Sequence, residues 1–156
     1  MEVRVSNIAF SKNKLLVDRL LEKFPKAIVN NQNKRLHGVE LIDFFSGAEA
    51  VIVGLEQITS DLLDQLPSLR IIAKYGVGLD NIDVKACEQR NIKIGWTAGV
   101  NKRSVAEMAL GFMIALIRNI FITSNELKNG FWNKSGGLQL SGNEGTRFYV
   151  KNKLAF

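Results

Sequence analysis

The sequence predicts an α/β protein: a doubly wound parallel sheet of about five strands, followed by a long apolar helix. Three observations carry this. Short apolar runs recur through the first hundred residues without strict alternation, as strands buried on both faces require. Between them lie segments whose apolar residues fall at helical spacing, which implies right-handed crossovers with helices on both faces of one sheet. Beyond residue 101 the alternation stops, and a single stretch is apolar on nearly every side.

The first strand is expected over residues 3–9, with Val3, Val5 and Ile8 apolar. Ser11 is a plausible N-cap for a helix over 12–24, whose stripe is Leu15, Leu16, Leu20, Leu21 and Phe24, and Pro25 stops it. A short second strand follows at 27–29, and N-N-Q-N-K-R after it is loop-like. Residues 39–45 read as a short helix closed by Gly47. The run E-A-V-I-V at 49–53 is the third strand. Thr59 opens a helix through Leu66, ended by Pro67. The fourth strand begins at Ile71, Asp83 caps a helix over 84–90, and 93–96 is the fifth strand.

Ser104-Val-Ala-Glu107 has the spacing of a capping box, in which serine and glutamate satisfy each other's backbone N–H groups. It predicts a helix over 104–121 with apolar residues almost all round, so a neighbour is missing: another domain or a second copy of the chain. Gly111, costing about 1 kcal/mol relative to alanine in mid-helix, marks either a close helix contact or a tolerated accident. A second helix is expected over 125–128. No regular element can be assigned over 147–150.

Hydrophobic residues make up 46% and charged ones 23% of the 156, ordinary for one globular domain with a real core. The net charge of +6 is scattered, with no Lys/Arg run and no aromatic interleaving, so no nucleic-acid partner is expected. Cys87 is the only cysteine, which excludes an intrachain disulfide or a cysteine-based metal site and fits a reducing cytoplasm. The N-terminus lacks the shape of a signal peptide. No segment reaches the roughly 18 apolar residues of a membrane span, so no membrane partner is expected either.

The stretch I-I-A-K-Y-G-V-G-L-D-N-I-D at 71–83 organises the chemistry. Gly76 and Gly78 break an apolar run at the carboxyl end of a strand, where open α/β sheets bind ligands. Such a turn is either strand-to-helix punctuation or a place where exposed peptide N–H groups hold a carboxylate or phosphate. The dinucleotide fingerprint is incomplete, because Asn81 stands where its third glycine belongs. Asp80 and Asp83 read as a loop brace and an N-cap rather than a catalytic pair. Cys87 reads as a packing residue, and His37 as a surface-loop histidine.

Together, A-V-I-V-G-L-E-Q-I-T at 50–59, the stretch at 69–83 and I-K-I-G-W-T-A-G-V-N-K-R-S-V-A-E-M-A-L-G at 92–111 resemble the D-isomer-specific 2-hydroxyacid dehydrogenases, especially their phosphoglycerate dehydrogenase-like branch. The resemblance extends to Gly130-Phe-Trp132 and Leu140-Ser-Gly142 and so covers most of the chain. It implies a flavodoxin-like substrate domain over 1–101, the first helices of a Rossmann NAD domain over 102–142, and an irregular tail over 143–156. The implied substrate is a small 2-hydroxy or 2-oxo acid. Its carboxylate would sit on the Val77 and Gly78 N–H groups at the Gly76 turn, with Lys74 beside it or facing solvent. Val77 and Ser104 match positions lining the nicotinamide end of the cofactor, although a helix cap suffices for Ser104. The helix 104–121 is implied at a two-fold interface, pairing with itself or with a full-length relative.

After Leu140-Ser-Gly142 the sequence departs from the family, which continues with a strand and G-x-G-x-x-G. The family's catalytic arginine, glutamate and histidine also fall beyond that point, and His37 comes too early to be that histidine. The expectation is therefore an NAD-dependent oxidoreductase cut short, binding no cofactor and inactive alone. The alternative is a non-catalytic binding or dimerisation module.

Overall fold

The computed structural model describes residues 1–134 and 136–139. The chain divides into two compact units, Met1–Val100 and a second beginning at Asn101. The first unit holds strands β1 (Val3–Val5), β2 (Ile28–Val29), β3 (Ala50–Val53), β4 (Ile71–Lys74) and β5 (Lys93–Gly95). All neighbours are parallel, in the order β2-β1-β3-β4-β5. That is the flavodoxin-like order, with its reversal between β1 and β3.

Register follows from burial. Val3 pairs with Ala50, Ala50 with Ile71 and Ile71 with Lys93, so the four strands enter the sheet side by side. Val5, Val51, Val53 and Ile72 are buried, as strands covered on both faces must be. Helices α3 (Gly38–Phe45), α4 (Ser60–Asp64) and α5 (Val84–Gln89) bring Leu41, Phe45, Leu62, Leu63, Ala86 and Cys87 into the same core. Cys87 is the packing residue its context predicts. Burial pushes its thiol pKa up, and the neighbouring Asp83 charge adds to the effect.

Local chemistry sets most helix starts. The Thr59 side chain accepts from the Leu62 N–H at 3.3 Å, and Asp83 from the Ala86 N–H at 2.9 Å. Gly47 follows α3 at φ +79°, a backbone angle that favours glycine.

Near the N-terminus the expected boundaries are displaced. The strand ends at Val5, because the Asn7 side chain accepts from the Phe10 N–H at 2.8 Å and opens α1 (Ile8–Lys12). Ser11 is no cap; its hydroxyl donates to the Asn7 carbonyl inside that turn at 2.9 Å. Asn13 caps α2 (Lys14–Lys23), which contains no buried residue: Leu16, Leu20 and Leu21 are half-buried and Leu15 is exposed.

The second unit contains α6 (Lys102–Ile117) and α7 (Ile120–Lys128). The capping box at Ser104 does not form. Asn101 already turns the chain, its carbonyl accepts from the Val105 N–H at 3.0 Å, and Ser104 lies within the first turn. Nor does one helix run over 104–121. Asn119 adopts the left-handed conformation at φ 54°, which asparagine tolerates better than most residues, and the two helices bend by 62° there. The second helix consequently starts at Ile120 rather than 125. A Cβ added to Gly111 would meet nothing within 4 Å among the described residues, so no contact among them accounts for it. No single helix among the described residues is long and apolar enough to cross a membrane. Residues 140–156, including 147–150 and the expected tail, lie outside the described residues.

Candidate functional site

The loop after β4 is built from local backbone freedom and then fastened by neighbouring loops. The Tyr75 N–H bonds the Val53 carbonyl at 2.8 Å, prolonging the β3–β4 pairing by one residue. The Tyr75 ring meets Phe10 edge-on, centroids 5.6 Å apart. Gly76 follows at φ +153°, and a Cβ there would lie 3.1 Å from Lys74 Cε, so both its angle and its space favour glycine. The Val77 carbonyl accepts from the Trp96 indole Nε1–H at 2.8 Å. Among the described residues no acceptor is paired with the Val77 or Gly78 N–H.

A polar knot holds this loop to the one after β3. The Lys74 ammonium donates to the Gly54 carbonyl at 2.5 Å and to Asn81 Oδ1. Asn81 Nδ2 donates to the Glu56 carbonyl at 2.6 Å and the Gly54 carbonyl at 3.2 Å. The Glu56 carboxylate, almost fully buried, accepts from the Gly54 N–H at 2.5 Å. Main-chain bonds from Ile58 N–H to the Asn81 carbonyl and from Asp83 N–H to the Ile58 carbonyl close the clasp, at 2.8 and 2.9 Å. Buried polar groups bonded to one another in this way make a rigid support.

Lys74 thereby commits two of its three donors to the knot and keeps one. The turn thus offers a half-buried lysine and two peptide N–H groups without a partner among the described residues, with the Asp80 carboxylate beside Gly78. Lys74, Gly76, Val77 and Gly78 all belong to this one turn, whereas Ser104 lies in the second unit. Asp80 is no brace: it is exposed, its carboxylate lies against Gly78, and it makes no hydrogen bond among the described residues. His37 is exposed before α3 and makes no side-chain cap bond. No group of three metal-ligating side chains occurs among the described residues.

Sequence reasoning missed Asn81 as the centre of the knot, Glu56 as its buried carboxylate, and Trp96 as a partner of the loop. The signal for Asn81 was its identity: a polar residue displacing the third glycine, between Leu79 and Ile82. Nothing local distinguished Glu56 or Trp96.

At the reversal of strand order, a cavity of about 350 Å³ is lined by Asn7, Ile8, Ala9, Lys12, Arg35, Leu55 and Glu56. Within the second unit, α7 and residues 131–134 line another of about 590 Å³.

Residues 8–149 match the model of the D-isomer specific 2-hydroxyacid dehydrogenase catalytic domain. The chain is 36% identical over 103 residues to the hydroxypyruvate reductase of Thermotoga maritima, covering 65% of this chain and 34% of that protein. It is 33% identical over 106 residues to the D-3-phosphoglycerate dehydrogenase of Methanocaldococcus jannaschii, covering 66% of this chain and 20% of that one. The chain thus spans about a third or less of the length of these relatives. Among solved structures, it is similar to the TT0316 protein of Thermus thermophilus, with TM-score 0.71 and 25% identity over 99% of this chain and 53% of that chain. It is also similar to the NAD⁺-bound 3-phosphoglycerate dehydrogenase of Entamoeba histolytica, with TM-score 0.67 and 26% identity, covering 98% and 50%. Sheet order, glycine turn and sequence match agree: the chain belongs to the D-isomer specific 2-hydroxyacid dehydrogenase family.

Proposed function

We propose that this chain carries the substrate-carboxylate site of an NAD-dependent oxidoreductase acting on small 2-hydroxy and 2-oxo acids. The observation behind this reading is the pair of N–H groups, Val77 and Gly78, that have no partner among the described residues, on a turn whose far end is clasped through Asn81. Gly76 supplies the turn and Lys74 adds charge with its remaining donor. The relatives' names speak for the substrate class: a hydroxypyruvate reductase and a phosphoglycerate dehydrogenase. By resemblance, Val77 and Ser104 each match a position at the nicotinamide end of the family's cofactor.

The residues present do not fit a whole dinucleotide. No G-x-G-x-x-G occurs in these 156 residues. At the one G-x-G turn, Asn81 takes the third glycine's place with its amide bonded to Gly54 and Glu56. His37, the only histidine, is not on the loop. Hydride transfer needs nicotinamide, acid/base and clamp together, so residues 1–156 alone bind the acid without turning it over. We place the chain in the cytoplasm, in keeping with its single buried thiol.

Amide NMR on the full chain tests this. Pyruvate, in the range of tens of millimolar, is expected to shift the Val77 and Gly78 signals, with no NADH oxidation. Val77→Pro deletes one donor and should weaken pyruvate by about tenfold, the equivalent of one charge-assisted hydrogen bond of ~1.4 kcal/mol. Equal binding by the proline variant, or signals indifferent to pyruvate, would sink the proposal.

The second reading, a dimerisation module, is favoured by Val105, Met108, Leu110, Phe112 and Leu116, all exposed on α6. Apolar side chains gathered on one helix mark an interaction surface. We expect a dimer by sedimentation at micromolar concentration, and Met108→Glu to return it to monomer. A wild-type monomer there removes this reading.

A further inference from the structure

We infer that Trp96 is a positioning residue for the anion cradle, holding the Val77–Gly78 peptide so that the Gly78 N–H is presented to the ligand. The inference rests on the carboxylate reading of the loop and adds the residue that orients it. No peptide bond among the described residues is cis. In a trans peptide the carbonyl oxygen and the following N–H point in opposite directions. The indole Nε1–H, 2.8 Å from the Val77 oxygen, therefore sets the direction of the Gly78 N–H on the far side of the same plane.

Two features make this restraint decisive. Gly76 and Gly78 flank Val77 and leave the segment free to rotate. The knot grips Lys74 below and Asn81 above, but no other hydrogen bond among the described residues reaches the Val77–Gly78 peptide. Trp96, by contrast, stands directly after β5, whose Gly95 is in register with Ala73 of β4. The indole is thus carried by a rigid neighbour of the strand that bears the loop. Indole N–H is a donor only, so it fastens the carbonyl without competing for the ligand-facing amides. Trp96 is 43% exposed, and its burial alone does not account for a tryptophan here.

Trp96→Phe keeps an aromatic ring and removes the donor; the full chain is studied with pyruvate as the probe. Trp132→Phe serves as background so that a single indole signal remains. Before ligand is added, the indole N–H should exchange slowly, and Trp96→Phe should shift and broaden the Val77 and Gly78 amides while β4 and β5 signals stay in place. With pyruvate, Trp96→Phe should bind five- to tenfold more weakly. If wild type binds and Trp96→Phe binds equally well, the positioning role is wrong and the carboxylate site stands. If wild type does not bind at all, the carboxylate reading fails; unchanged Val77 and Gly78 amides in ligand-free Trp96→Phe would then overturn the positioning role as well. A disturbed loop in that case still supports Trp96 as its restraint.

Discussion

Asn81→Leu is expected to destabilise the first unit by about 3 kcal/mol, read as a lowered urea midpoint with an unchanged slope. Leucine is close to asparagine in shape, so the loss is polar rather than steric. Asn81 is 7% exposed, and its side chain serves the Gly54 and Glu56 carbonyls and the Lys74 ammonium. Leucine leaves the Glu56 carbonyl without that donor, and Lys74 with Gly54 alone. Each buried polar group stranded this way costs roughly 1–3 kcal/mol. The variant should also loosen the glycine turn, since the β3 and β4 loops then keep only the Lys74–Gly54 bond and their main-chain bonds. A loss below about 1 kcal/mol would show that water replaces the amide at little cost.

Phe45→Ala should be at least as damaging, by about 3–5 kcal/mol. Phe45 closes the last turn of α3, is 1% exposed, and packs in the cluster that joins α3, α4 and α5 to β3 and β4. Alanine removes the ring and leaves a cavity that the strands, pinned in register, cannot collapse to fill. Because domains commonly retain only about 5–15 kcal/mol in total, thermal unfolding should begin near room temperature. Val39, on the same helix but 71% exposed, is the control: Val39→Ala should change stability by less than about 0.5 kcal/mol. A small effect at Phe45 would mean that the sheet is not the dominant support of this helix.

The two variants probe different parts of one design. Phe45 belongs to the apolar layer that fixes where the strands end, and Asn81 to the polar layer that fixes what the loops do there. Only the second is specific to the candidate site. Damage to Phe45 should abolish pyruvate binding through unfolding, whereas a folded Asn81 variant would lose it through disorder of the turn.

Much of this was open to local reading. Strand cores at 50–53 and 71–74, the Thr59 and Asp83 caps and the Gly76–Gly78 turn are encoded within a few residues. A cap or a turn is settled between near neighbours, so composition and spacing suffice to announce it. Boundaries were less legible where several caps compete. Asn7, Ser11 and Asn13 lie within seven residues, and Asn101 and Ser104 within four; each is a competent cap in isolation. Helix starts at Asn7, Asn13 and Asn101 were decided by where the strand had to end and where the next turn could close.

Local sequence is enough for the α/β class, the parallel alternation, the glycine turn at the end of β4 and, through resemblance, the family with its flavodoxin-like sheet. Those properties rest on periodicity and on motifs whose residues are neighbours along the chain. Long-range packing settled the clasp of Asn81 on Gly54 and Glu56 and the bond from Trp96 to Val77. Their partners stand 19 or more residues apart, and no local preference selects one distant carbonyl over another. Only packing the sheet in register brings the loops after β3, β4 and β5 to one edge, where a hydrogen bond between them costs little further ordering.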